Sequence, residues 1–154
     1  MQDDRHWMEH AIAEAEEALD QGEVPVGAVV VRRDQIIGRG HNRVEQSGFP
    51  FEHAEVVAMW DAVKRHDRWQ LAESVLYVTV EPCVMCVGAI LLARLPRVVY
   101  GVREPRTGAC ESVFAIPTEP RLHHRVAVVG GIEEKRCREL LQRSFREQRK
   151  KRSG

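Results

Sequence analysis

The run Ser74-Val75-Leu76-Tyr77-Val78-Thr79-Val80-Glu81-Pro82-Cys83-Val84-Met85-Cys86 passes from a β-branched and aromatic segment directly into a helix opening. Ser74 to Val80 reads as a strand. Pro82 suits the first turn of the helix that follows, since its φ is already helical and its missing N–H would have no partner there. That helix is expected from Pro82 to about Arg94. It is nearly all apolar after Cys86, which predicts cover on several sides. Cysteines at i and i+3 share one face of the first turn, so both sulfurs aim at one point. The positive end of the helix dipole favours the thiolate form that metals bind.

Some thirty positions upstream, His53-Ala54-Glu55 opens another predicted helix, running to about His66. A lone C-x-x-C is ambiguous between a redox pair, half of a structural zinc site and part of a catalytic one. A structural site wants a second cysteine pair or an H-x-x-x-H paired with the cysteines; the chain has no second C-x-x-C, and His6 and His10 fall in the first predicted helix and need no function. A redox pair leaves His-Ala-Glu unexplained. With His53, Cys83 and Cys86 as ligands, one Zn2+ per subunit keeps its fourth tetrahedral position for water, the pattern of catalytic zinc. Glu55, two residues past the histidine, is placed to handle that water's proton. H-x-E with P-C-x-x-C is the known signature of zinc-dependent nucleobase deaminases, in which the acid/base Glu is not a ligand. In that chemistry zinc-bound hydroxide displaces an amino group, and one carboxyl serves both proton transfers.

Working outward, Asp4 to Gln21 carries apolar residues at helical spacing, and Gly22 is a reasonable stop. Val24 to Val31 and Gln35 to Gly40 read as an antiparallel hairpin with a turn at Arg32-Arg33-Asp34. Loop signals follow from His41 to Pro50. Val98 to Val102 and Arg125 to Val129 complete five strands, and a helix closes the chain from Glu133. This alternation predicts a mixed sheet with helices on both faces. Both metal-binding segments start helices beside strand ends, where open α/β sheets hold their sites.

The 154 residues, 44% hydrophobic, are expected to form one domain over 1–154. No apolar run is long enough to span a membrane. The acidic N-terminus lacks the apolar region of a secretory signal, and four cysteines are expected to stay reduced in a cytoplasmic protein. The formal net charge is zero but unevenly spread. From Lys135 to Arg152 there are nine basic and two acidic residues, leaving 14 basic and 21 acidic elsewhere. A basic helix from about 133 to 152 is the footprint of a polyanionic partner or simply a solvated terminal helix.

Over most of its length the chain resembles the bacterial tRNA adenosine deaminases of the cytidine-deaminase-like superfamily. The resemblance lies in Glu23-Val24-Pro25-Val26-Gly27-Ala28-Val29, His41-Asn42-Arg43, Leu76 through Cys86, Arg97-Val98-Val99-Tyr100-Gly101, Thr107-Gly108-Ala109 and Cys137 through Arg146. It implies a three-layer α/β/α fold with a five-stranded mixed sheet. It also implies a homodimer that converts adenosine to inosine at the wobble position of a tRNA anticodon. By resemblance, Asn42, Ala54 and Val26 contact the flipped nucleotide, while Phe145 and Arg146 belong to a terminal helix that contacts the anticodon stem-loop. Stacking on an aromatic ring is the expected mode for an unpaired base.

The chain departs from this family at Phe49-Pro50-Phe51-Glu52, where Asp-Pro-Thr-Ala is usual. Phe51 is expected to pack beneath the loop, with base stacking as the alternative. Glu52 either faces solvent or pairs with an arginine. Cys110 and Cys137 are read as buried or incidental thiols, His123 and His124 as outside any metal site, and Trp7, Trp60 and Trp69 as packing residues. The competing function is a zinc-dependent deaminase of a free purine base or nucleoside, similar to guanine deaminases. A catalytically inert tRNA-binding subunit is disfavoured by the presence of Glu55.

Overall fold

The computed structural model describes residues 1–153. Its five strands are β1 (Gly27–Arg32), β2 (Gln35–His41), β3 (Ser74–Val80), β4 (Arg97–Val102) and β5 (Ala127–Val129), and its helices are α1 (Asp4–Asp20), α2 (Val44–Ser47), α3 (Ala54–His66), α4 (Val84–Leu92) and α5 (Glu134–Ser153). The strand order is β2-β1-β3-β4-β5. β1 pairs antiparallel with both β2 and β3, whereas β3, β4 and β5 run parallel, so the sheet is mixed as expected.

Alternation along the strands sends side chains to two separate cores. Ala28, Val30, Leu76, Val78, Val98 and Tyr100 pack with Ala54, Ala58, Met59 and Ala62 of α3 and Val87 and Ile90 of α4. Val29, Val31, Tyr77 and Val99 face the opposite way, against Trp7, Met8, Ala11 and Ile12 of α1 and Cys137 and Leu140 of α5. The result is three layers, with the sheet in the middle. Gly38 and Gly40 allow α3 to lie close on β2: a Cβ at either would run into the α3 backbone at Ala58 or Ala62.

The hairpin turn is the two-residue pair Arg33-Asp34, both with positive φ (49° and 62°), as tight hairpin turns require. Several sequence expectations are corrected. β1 starts at Gly27 and not at Val24, because Pro25 cannot donate to a ladder and Val26 N–H turns back to the Val24 carbonyl at 2.9 Å. Pro82 lies one residue before the cap, and Cys83, in extended conformation, is the N-cap of α4. The predicted loop after His41 contains α2. β5 begins at Ala127, two residues later than expected. α4 is not covered all round: Val84 and Leu92 are exposed. Of the tryptophans only Trp7 is buried, while Trp60 and Trp69 are 60% and 61% exposed.

Candidate metal centre and catalytic cavity

The start of β1 and the end of β3 lie side by side because the two strands are antiparallel, and Gly27 N–H donates to Thr79 Oγ1 at 3.1 Å. Two helix starts meet at that edge. His53 is the N-cap of α3 and Cys83 the N-cap of α4, with Cys86 one turn further in. His53 Nδ1 stands 3.6 Å from Cys83 Sγ and 3.5 Å from Cys86 Sγ, and all three donor atoms lie within 4.8 Å of one another. Two ligands at zinc–nitrogen and zinc–sulfur distances of about 2.1 and 2.3 Å, at a tetrahedral angle, sit about 3.6 Å apart. The donor set therefore fits zinc in both chemistry and spacing.

The electrostatics agree. The Cys83 thiol is pulled down to about 4, first by the hydrogen bond from Cys86 and then, against burial, by that from His53. Cys86 is pushed far up by the same bond to Cys83 and by burial. A coordinating cation favours the thiolate of both. His53 is raised by its hydrogen bond to Cys83. Burial raises Glu55, in the first turn of α3, above the ordinary carboxylate range, so this carboxyl is suited to deliver a proton as well as accept one.

These residues open onto a cavity of about 230 Å³, lined by His53, Ala54, Glu55 and Cys83 with Val26 and Asn42. Drug-sized pockets run from roughly 300 to 1,000 Å³, so this one has room for a single ring system. Cys86 is fully buried behind Cys83. Phe145 and Arg146 are not brought to the cavity. They lie on the exposed side of α5, whose first half packs through Cys137, Leu140 and Ser144.

Val24, Glu81, Glu104 and Thr107 also line the cavity, and sequence reasoning assigned none of them a role there. Glu81 is the most consequential. Its carboxylate accepts the N–H groups of Glu104, Cys110, Glu111 and Ser112 at 2.8–3.1 Å, together with the Ser112 hydroxyl. Burial works against the charge, but these donors outweigh it and hold the carboxyl below its usual range. The segment 104–112, which brings Glu104 and Thr107 to the cavity, is thus gathered on one side chain. The signal was a charged residue closing an apolar strand just before a proline. Glu23, 2% exposed, holds the start of α2 in the same way, accepting the N–H groups of Glu45 and Gln46 at 3.0 and 2.7 Å.

The other residues singled out from sequence fall outside this centre. Cys110 and Cys137 are buried free thiols. His124 bonds the Leu95 carbonyl at 2.8 Å through Nε2. Glu52 comes within 4.0 Å of Arg43. Phe51 is not packed beneath its loop: it is 53% exposed and meets Phe49 edge to face at 5.2 Å.

Residues 1–102 match the family model of the cytidine and deoxycytidylate deaminase zinc-binding region. The chain is 41% identical over 154 residues to a tRNA-specific adenosine deaminase of Streptococcus pyogenes serotype M18, covering 100% of this chain and 97% of the relative. A solved structure from a study of A-to-I editing by tRNA:A34 deaminases at the wobble position superposes with a TM-score of 0.85 at 38% identity, over 88% of this chain and 99% of that one. A guanine deaminase of Bacillus subtilis matches at 38% identity with a TM-score of 0.63, over 66% of each chain.

Proposed function

Because this chain belongs to the zinc-binding cytidine and deoxycytidylate deaminase family, among the tRNA-specific adenosine deaminases, we propose that it hydrolyses adenosine to inosine at the wobble position of a tRNA anticodon. The observation that carries this reading is the convergence of His53 Nδ1, Cys83 Sγ and Cys86 Sγ beside the buried Glu55, at a cavity sized for one base. His53, Cys83 and Cys86 would hold zinc, which when bound supplies a Lewis acid that makes water nucleophilic near neutral pH.

The chain's own residues do the rest. An adenosine in a loop swings out of its stack into the cavity, where Asn42 offers hydrogen bonds and Val26 and Ala54 offer close walls. Asn42 is held in place by its backbone, whose N–H donates to the Val26 carbonyl at 3.1 Å. Glu55 takes a proton from the attacking water and passes it to a ring nitrogen, which makes the neighbouring carbon electrophilic. The carboxylate then takes the second proton, from the hydroxyl now bonded to that carbon, and gives it to the departing amine. Adenosine and water become inosine and ammonia, and Glu55 ends as it began. Burial beneath the helix start keeps competing water from the carboxyl.

The whole chain acts as one deaminase domain. Phe145, Arg146 and the basic residues after them, projecting beyond the packed half of α5, contact the anticodon stem-loop. The active form is a homodimer, and the exposed apolar Val84 and Leu92 of α4 suit contact with a second copy. Among the described residues no helix is long and apolar enough to cross a membrane. The reading places the work of the protein in the cytoplasm, with tRNA.

The decisive experiment incubates the zinc-loaded protein with an adenosine-containing anticodon hairpin and, separately, with free guanine and adenosine. Inosine in the hairpin is the expected product. Turnover of a free purine with none on the hairpin overturns the reading in favour of a small-molecule deaminase.

A further inference from the structure

We propose that a second cleft, beside the catalytic cavity, is a stacking shelf for the unpaired nucleotides that flank the edited one; this rests on reading the chain as an RNA deaminase. The cleft has a volume of about 560 Å³, with Phe49 and Trp60 among its walls. It shares a wall with the catalytic cavity. Asn42 lines the cavity, the next residue Arg43 lines the cleft, and the chain returns through Phe49 and Glu52 before entering the cavity again at His53. Arg43 N–H bonds the Glu52 carbonyl at 3.0 Å and clamps the base of this loop. A strand whose one base sits in the cavity therefore reaches the cleft with its next nucleotides.

The chemistry of the cleft suits such a strand. Phe49 and Trp60, which line the cleft, are 52% and 60% exposed, and Phe51, whose ring meets that of Phe49, is 53% exposed. Large exposed aromatics gathered in one place mark a binding surface. The Phe49 and Phe51 rings meet at 84°, which leaves ring faces open, and Lys64 Nζ lies 5.7 Å from the Trp60 ring centroid. Arg39, Arg43, Lys64 and Arg65 line the cleft with Glu52 and Asp61; Arg39 lies 3.8 Å from Glu14 and Arg43 4.0 Å from Glu52. Asp61 is already engaged by the Arg39 N–H at 3.0 Å and the Arg65 guanidinium at 2.9 Å. Among the described residues, Lys64 has no carboxylate within 4.0 Å. Aromatic faces interleaved with cations are how proteins hold single strands, since every base has a face to stack and every step a phosphate to neutralise. A second copy of this basic cleft would bring no compensating charge. Two of the aromatics come from Phe49-Pro50-Phe51-Glu52, where the chain departs from the family it resembles.

The test uses the full-length, zinc-loaded protein and the variants Trp60→Ala, Phe49→Ala and Lys64→Glu. Each is assayed on the anticodon hairpin and, independently of turnover, for binding a fluorescent single-stranded RNA of about ten nucleotides, a span in the usual site-size range. Trp60→Ala is expected to raise KM and weaken strand binding about tenfold with kcat unchanged, as loss of one stacked base does. Lys64→Glu is expected to flatten the salt dependence of binding. Unchanged KM and strand binding in Trp60→Ala and Phe49→Ala overturns the shelf while leaving the deaminase reading intact. Conversion of a dimer to a monomer by Trp60→Ala, seen in sedimentation, also overturns it, because a second copy then covers the patch. Failure of the wild type to make inosine sinks the underlying reading, and the strand-binding arm still decides the shelf.

Discussion

Sγ of Cys86 lies 3.5 Å from Nδ1 of His53, across 33 residues of sequence and between the first turns of two different helices. The sheet brings both helix starts to one edge, and the site exists only where they meet.

Replacing either partner should therefore empty the site. Cys86→Ser and His53→Ala are expected to fall from about one zinc per chain to under a tenth, by elemental analysis of the purified protein. Either change leaves two protein ligands, one short of the three a catalytic zinc site uses. Retention of stoichiometric zinc by both variants would mean that the metal is held elsewhere.

Glu55→Gln separates proton transfer from metal binding. The amide keeps the shape of the carboxyl but cannot take a proton, so kcat on the hairpin should drop by at least about 10²–10⁴-fold. Zinc content should stay unchanged, as Glu55 is not among the three converging donors. Single-turnover inosine formation together with metal analysis reads both effects.

Glu81→Ala should loosen one wall of the cavity. It strips four backbone N–H groups and the Ser112 hydroxyl of their common acceptor, and an unsatisfied buried group costs roughly 1–3 kcal/mol. Amides 104–112 are expected to lose hydrogen-exchange protection before the rest of the sheet. Uniform protection across the chain would show that the segment is held by something else.

Truncation of the terminal helix has to respect its packing. Removing everything after Glu134 takes Cys137 and Leu140 out of the core beneath β4 and α1, and should unfold or destabilise the protein. Ending the chain after Ser144 leaves those contacts and removes Phe145, Arg146 and the basic end. This shorter form should keep its circular dichroism and its zinc, yet raise KM for the hairpin and flatten its salt dependence.

Asp4 supplies a pH-dependent part of stability. Arg97 holds its carboxylate through two hydrogen bonds at 2.9 and 2.7 Å, Tyr77 adds a third at 2.9 Å, and the Arg97 bonds lead in lowering its pKa below 3.8. A carboxyl depressed on folding stabilises the protein above its unfolded pKa, and that contribution disappears as pH falls through the lower folded value. Asp4→Asn should cost about 2 kcal/mol at neutral pH. The difference from wild type should vanish in strong acid, as urea unfolding at several pH values would reveal.

Much of the fold was legible because the strands alternate or run apolar in blocks. Ser74–Val80 matches its expected bounds residue for residue, since five β-branched or aromatic residues among seven, bounded by Glu81-Pro82, leave little choice. Local pattern failed where a single residue governs an end. Pro25 delays β1 to Gly27, and that delay frees Val24 and Val26 to face the cavity. Apolarity also misled: α4 looked covered on all sides, but Val84 and Leu92 are exposed.

Local sequence was enough to single out His53, Cys83 and Cys86 as candidate donors and Glu55 as the candidate proton carrier, because metal chemistry demands those side-chain types and a helix start dictates their short-range spacing. Only the tertiary structure decided what surrounds them. That Glu81 gathers the 104–112 segment and Glu23 the start of α2, that Phe145 lies away from the cavity, and that Phe49 and Trp60 share one cleft all depend on contacts between distant segments. Such contacts are set by strand order and by the face each side chain occupies, and no local spacing encodes them.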